Sequence, residues 1–317
     1  MPHFFKMLLR AGCVAGLLCG VVFSAHAAEP VRVVASFSIL GDMVRQIGGP
    51  HVRVMTLVGP EGDAHVYQPT PRDARALATA SLVVVNGLGF EGWMQRLIAA
   101  SGTRARVVTA ADNLPYPLMQ VAEDADAHHH GHGHGHGDDG SIDPHAWQDL
   151  RNGVQYVRNI ASGLSAVDPS NASVYQANAA QLDTELRALD RWVRQQIGSV
   201  PAAQRVVMTS HDAFGYFAKA YGITFLAPQS LSTKDEPSAR KLKTLIEQLQ
   251  AGKTRALFIE NKANASVIRQ LAAETGAVIG PRLYADALSA ADGPATSYQQ
   301  MFRYNVAALV AGMQKNP

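Results

Sequence analysis

The chain has 317 residues, with 28 Lys or Arg against 26 Asp or Glu, so its formal charge at pH 7 is only +2. That balance supplies no basic surface for nucleic acid. An apolar share of 47% fits a globular protein and excludes both a membrane-embedded chain and a disordered one.

The N-terminus reads as an export segment. Lys6 and Arg10 flank the start of an apolar run over residues 11–23, and Ala25-His26-Ala27 fits a small-x-small cleavage site. Residues 1–27 are expected to leave as a signal peptide, so that the mature chain begins at Ala28. The apolar run is too short for a comfortable membrane-spanning helix. Cys13 and Cys19 both lie in it, and neither stands in a convincing lipidation context. Their removal leaves no cysteine, so a metal site in the mature chain must use His, Asp or Glu.

From Ala28 onward, short β-rich runs alternate with helical patterns. Residues 31–36, 52–58, 82–86 and 105–108 read as strands, and 39–47, 71–80 and 90–101 as helices between them. This order predicts an α/β lobe with a largely parallel sheet. Residues 112–144 break the pattern with Pro115, Pro117, acidic residues and the tract His128-His129-His130-Gly131-His132-Gly133-His134-Gly135-His136. Such a tract has nothing apolar to bury, and imidazole is a common ligand of zinc, copper and nickel. The stretch 123–140 is read as a His-rich accessory loop. Its bland alternative is a passive polar insert.

One long helix is predicted over 168–200, with Asp168 as N-cap, Pro169 in the first turn, and Leu182, Leu186, Leu189, Val193 and Ile197 at helical spacing. A second α/β series follows. Strands are predicted at 205–209, 223–227, 256–260 and 277–280, and helices at 212–221, 236–251, 264–275 and 295–314. The expected architecture is therefore two Rossmann-like α/β lobes with parallel sheets, joined by one long helix. The divisions are an N-terminal lobe over 28–167, the helix 168–200 and a C-terminal lobe over 201–317. One continuous α/β domain is the alternative on length grounds.

Four His stand outside the leader and the tract. His51 opens a strand and reads as exposed and structural. His65, His145 and His211 each follow a strand or leave the long loop, and Asp286 follows the final strand. Ligands in open α/β sheets bind beyond the carboxyl ends of strands. Three His and one Asp form a sensible tetrahedral zinc set, although no short local motif ties them together. Glu61, Asp63, Asp143 and Asp212 are candidates to orient the imidazoles, against the plain reading as loop carboxylates or helix caps.

Several segments resemble the metal-receptor solute-binding proteins of ABC importers, in particular their zinc branch. They include Val33-Val34-Ala35-Ser36-Phe37-Ser38, Asp63-Ala64-His65-Val66-Tyr67-Gln68-Pro69, Asn86-Gly87-Leu88-Gly89-Phe90-Glu91, Asp143-Pro144-His145-Ala146-Trp147, Ser210-His211-Asp212-Ala213-Phe214 and Tyr284-Ala285-Asp286-Ala287-Leu288-Ser289. The resemblance runs over essentially the whole mature chain. It implies a periplasmic receptor that binds Zn2+ on His65, His145, His211 and Asp286 and delivers it to an inner-membrane permease. It also implies that manganese receptors of the family tend to carry Glu where this chain has His211. Leu150 after Asp149, where relatives often have Pro, is expected to alter only the start of the next helix.

The loop residues His128, His129, His130, His132, His134 and His136 are expected to gather zinc or to receive it from a periplasmic chaperone. We expect a monomer without enzyme activity. The alternatives are a manganese or iron receptor of the same kind, a metal buffer or adhesin without a transporter, and an exported zinc hydrolase using Asp286 or Glu260 as base.

Overall fold

The run Val31–Phe37 forms β1, and every residue from Val33 to Phe37 is buried. A strand covered on both faces needs such a continuous run. The computed structural model describes residues 29–116, 142–231, 233, 237–260 and 265–317. The expected signal peptide over 1–27 and the His-rich loop over 123–140, with all six of its His, lie outside the described residues.

In the first half, β1 leads through α1 (Ser38–Gly48) to β2 (Val52–Val58), then α2 (Pro71–Thr79), β3 (Leu82–Val85), α3 (Met94–Ser101) and β4 (Arg106–Thr109). All pairings are parallel, in the order β2-β1-β3-β4. Two helices follow, α4 (Leu150–Val167) and α5 (Ala172–Gly198). The second half runs β5 (Val206–Met208), α6 (Gly215–Tyr221), β6 (Thr224–Leu226), α7 (Ala239–Ala251), β7 (Ala256–Leu257), α8 (Ala265–Thr275), β8 (Val278–Ile279) and α9 (Tyr298–Met313). Its sheet is again parallel, in the order β6-β5-β7-β8. The two-sheet α/β architecture expected from the sequence is the one observed.

Helix α5 packs on α1 and α4 on one side and on α6 and α9 on the other. Leu182, Leu186, Leu189, Val193 and Ile197 are its buried stripe, as their spacing predicted. One core runs from the first sheet through this helix to α9, and a smaller cluster around Leu245, Leu257 and Leu271 lies under α7 and α8.

Four expectations need correction. Helix α4 was not placed by the sequence pattern, although Asp149 caps it by accepting from Arg151 N. Its fit against β4 requires Gly163, where a Cβ would stand 2.5 Å from Val108 Cγ2. The long helix starts at Ala172 rather than 168, because Asp168 ends α4 and its carboxylate accepts from Asn171 Nδ2 and Tyr175 Oη instead of capping the next helix. Helix α3 begins only at Met94, since residues 86–93 are turns through Gly87 and Gly89 at positive φ. Finally, β7 and β8 are two residues each, and the pairing beyond them is reduced to single bonds such as Leu283 N to Ile259 O and an isolated bridge between Glu260 and Leu283.

Both sheets reverse their strand order beside the first strand, between β1 and β3 and between β5 and β7. The loop that carries His211 leaves the carboxyl end of β5, beside such a reversal, and the loop that carries His65 leaves the carboxyl end of the edge strand β2.

Candidate metal centre

His65 lies in the loop after β2. Two residues earlier, Asp63 Oδ1 accepts its backbone N–H at 2.9 Å, which bends the chain into a local turn. His145 repeats the device: Asp143 Oδ1 accepts His145 N at 2.9 Å. Here the same oxygen also meets the ring Nδ1 at 2.7 Å. With the Nδ1 proton directed to Asp143, Nε2 presents its lone pair to the cleft.

His211 follows β5. Glu260, at the end of the segment after β7, accepts Ser210 N through both carboxylate oxygens at 3.0 and 3.1 Å. Its Oε2 lies 3.3 Å from His211 Nδ1. Asp286 arrives from the far side of the second sheet, and Ala285 O just before it is fixed by Trp147 Nε1 at 3.0 Å and Gln148 Nε2 at 2.9 Å.

These four side chains converge. One ligand-type atom from each of His65, His145, His211 and Asp286 lies within 4.8 Å of the others. Around the carboxylate, His211 Nε2 is 3.0 Å from Oδ2, His65 Nε2 is 3.4 Å from Oδ2 and His145 Nε2 is 3.4 Å from Oδ1. Donors on a tetrahedral zinc ion at about 2.0 Å would stand about 3.3 Å apart. His65 Nε2, His145 Nε2 and Asp286 Oδ1 are buried without a hydrogen-bond partner among the described residues. Unpaired buried polar atoms are costly, and three of them facing one point fit a bound cation.

The electrostatics agree. Burial alone would push the Asp286 carboxyl up, but the His211 and His145 imidazoles outweigh it and hold it well below the usual range. Burial would likewise push His211 down, yet the Asp286 and Glu260 carboxylates hold it well above the ordinary imidazole value. Phe90 closes one wall, its ring edge-on to His65 at 4.7 Å.

Of the four proposed orienting carboxylates, Asp143 alone meets a ligand-type ring. Asp63 reaches only the backbone of His65, and Glu61 pairs with Arg282 at 2.7 Å. Asp212 is pushed up by burial and by Asp143 against the opposing pull of His145 and His211. His51 is half-buried edge-on to Tyr175 rather than exposed. Two supports were not foreseen. Glu260 orients His211, a role no spacing rule connects across 49 residues. Glu91, pushed up by burial, accepts from Ser36 Oγ and Asn86 N, and Asn86 Nδ2 donates to Pro144 O at 2.9 Å, which anchors the peptide before His145.

Residues 33–312 match the family described as zinc-uptake complex component A, periplasmic (ZnuA). The manganese-binding lipoprotein MntA of Halalkalibacterium halodurans is 30% identical over 310 residues, covering 97% of this chain and 95% of that one. Among solved structures, the periplasmic zinc binding protein TroA from Treponema pallidum aligns with a TM-score of 0.80 at 29% identity, over 90% of this chain and 99% of that chain. The Mn-bound periplasmic metal binding protein from Candidatus Liberibacter asiaticus aligns at 0.77 and 30% identity, over 90% and 100%. Family members are receptors that bind solute for a transporter, so the hydrolase alternative falls away. The cleft with its converging donors and this match over nearly the whole mature length place the chain in the ZnuA family of periplasmic metal-binding solute receptors of ABC importers.

Proposed function

We propose that the receptor holds one divalent transition-metal ion on His65, His145, His211 and Asp286 and passes it to the permease of its importer. The observation that carries this reading is the convergence of four donor atoms within 4.8 Å, three of them otherwise unpaired. All four positions come from protein, so the site sequesters an ion and leaves no coordination position for reactive water.

The identity of the ion divides the observations. The relatives' names favour manganese, which MntA and the Liberibacter structure carry in their descriptions, over zinc, which TroA carries. Manganese, the alternative in the sequence reading, is thus better backed by likeness than zinc. The donor set supports zinc: three imidazoles and one carboxylate are softer than the oxygen-rich sets that suit manganese. Zinc therefore stays our reading from the site chemistry, with manganese as the second. The His-rich loop over 123–140 is proposed as an accessory that gathers ions or takes them from a chaperone. MntA is named a lipoprotein; we read export of this chain through cleavage after Ala27, with Cys13 and Cys19 as the lipid-anchor alternatives.

Competition titration of the metal-free chain decides the cargo. We expect one tight zinc ion, displaced by manganese only in large excess, and loss of that ion in His211→Ala. Deleting residues 126–140 should remove weaker ions and keep the tight one. Equal or tighter binding of manganese would overturn the zinc reading.

The pH dependence follows from His211. Held above its ordinary value, it keeps a proton in the metal-free chain that an ion must displace. Metal affinity is therefore full at high pH and falls as pH drops, beginning above about 6.5. The metal-free fold behaves oppositely: the stability from charged His211 is full below its unfolded value and is lost as pH rises through the folded one. An affinity that stayed flat down to about pH 6 would contradict this.

A further inference from the structure

The four converging side chains are held in different ways. His145, His211 and Asp286 are buried, and His65 is the one of the four that keeps intermediate exposure. That exposure lies in its backbone, since its side chain is 7% accessible against 9% for Asp286, and what sets His65 apart is how its loop is held. The loop that carries it leaves the first sheet and is held by the second half of the chain at three points. Glu61 N donates to Leu288 O at 3.0 Å. Arg282 Nη1 meets Glu61 Oε2 at 2.7 Å. Thr233 Oγ1 donates to Asp63 Oδ2 at 2.7 Å.

These contacts differ in weight. The Arg282–Glu61 pair is open to solvent, with side chains 47% and 27% accessible, and such pairs add little. The Thr233 bond is partly buried and charge-assisted, which makes it the stronger kind. It also ends on the carboxylate that shapes the His65 turn, since Asp63 Oδ1 accepts His65 N. The parallel with His145 is informative. Asp143 fixes both the backbone and the ring of its His, whereas Asp63 fixes only the backbone and gives its second oxygen to Thr233. The segment leading to Thr233 is itself tied to His211: Asp212 N donates to Ser230 O at 3.2 Å and Gln229 N to Ser210 O at 3.3 Å. Gln229 and Ser230 thus bond to the His211 turn, and Thr233, close behind them in the chain, bonds to the His65 turn.

We propose that Thr233 latches the His65 loop through Asp63 and is a positioning residue that sets how fast the bound ion is released. This rests on the reading of His65 as a ligand. When the latch opens, His65 leaves first, because Asp143 and Glu260 hold the His145 and His211 rings from within their own halves, and Asp286 follows Ala285, whose carbonyl stays held by Trp147 and Gln148.

The test uses the full chain with Thr233→Ala, Thr233→Ser and Arg282→Ala. Two quantities are read: amide hydrogen exchange over residues 61–66 without metal, and release of Zn2+ into excess chelator. Thr233→Ala should speed exchange in that segment and release zinc about tenfold faster, the effect of losing one hydrogen bond to a charged group. Thr233→Ser should behave like the parent chain, and Arg282→Ala should stay within about twofold. Unchanged exchange in Thr233→Ala overturns the latch. So does equal acceleration by Thr233→Ser or Arg282→Ala. Faster exchange with unchanged release overturns the control of release while leaving the ligand assignment intact. A parent chain that retains neither zinc nor manganese tightly overturns the ligand assignment, and the role in release falls with it.

Discussion

His145→Ala should cost the receptor its tight ion while leaving the chain folded. The His145 side chain is wholly buried, its Nδ1 is held by Asp143 and its Nε2 faces Asp286 Oδ1 at 3.4 Å. Structural zinc sites bind with about 10–16 kcal/mol, or roughly 3 kcal/mol per donor, so losing one donor weakens binding at least about 100-fold. No neighbour takes its place: His65 and His211 already face Asp286, and Asp143 lies on the far side of the lost ring. Asp143→Asn provides the comparison. It keeps the imidazole but weakens the contact that sets its tautomer and orientation, and changes of this kind cost about 10–100-fold. The order parent, Asp143→Asn, His145→Ala should hold for either zinc or manganese, as read by chelator competition with circular dichroism as a folding control. Parent-like affinity in a folded His145→Ala chain would remove His145 from the site.

Much of this architecture was legible from the sequence because each strand is short, apolar and bounded by turn residues. Val33–Phe37 and Leu82–Val84 are buried on both faces, and their composition says so. The positions of His65 and His211 were legible for the same reason, since a residue just past a parallel strand belongs at the sheet's carboxyl edge. Helix α4 was readable in principle. Val154, Val157, Ile160, Ala161 and Leu164 keep helical spacing and are buried. Asn152, Gly153, Asn159 and Gly163 dilute the pattern, and two of these are small for tertiary reasons. A Cβ at Gly153 would stand 2.7 Å from Tyr298 Oη, and one at Gly163 would strike Val108. The pairing of Glu260 with His211 and of Thr233 with Asp63 was not legible. Each joins segments that only the packing of two sheets brings together, and a carboxylate's sequence neighbours do not reveal which proton it accepts. The sequence reading did find the right chemical types: Glu260 was considered as a base, and its observed contacts make it an orienting group.

The largest loss of stability should follow Trp147→Ala, because this side chain packs the seam beside the site. It is fully buried, with Phe37 at 5.0 Å, Phe90 at 4.8 Å and the His145 ring at 5.3 Å between centroids. Its Nε1 donates to Ala285 O, next to Asp286, and its own carbonyl accepts from Tyr298 Oη of α9. Truncating a buried Trp to Ala costs about 3–5 kcal/mol, mostly as lost packing and an unfilled cavity. For a chain of this size that lowers Tm by roughly 10 °C. The hydrogen bond is the smaller part, since Ala285 O keeps Gln148 Nε2 at 2.9 Å. Trp147→Phe, which retains an aromatic ring and loses the indole donor, should therefore cost about 1–2 kcal/mol. Both variants should also weaken metal binding, because the indole is what spaces His145 from the Ala285–Asp286 turn. Thermal unfolding of the metal-free chains separates the effect on the fold from the effect on the ion. A Trp147→Ala chain within about 1 kcal/mol of the parent would show that the seam repacks without its indole, and with it would go the claim that this side chain sets the distance between the two halves of the metal centre.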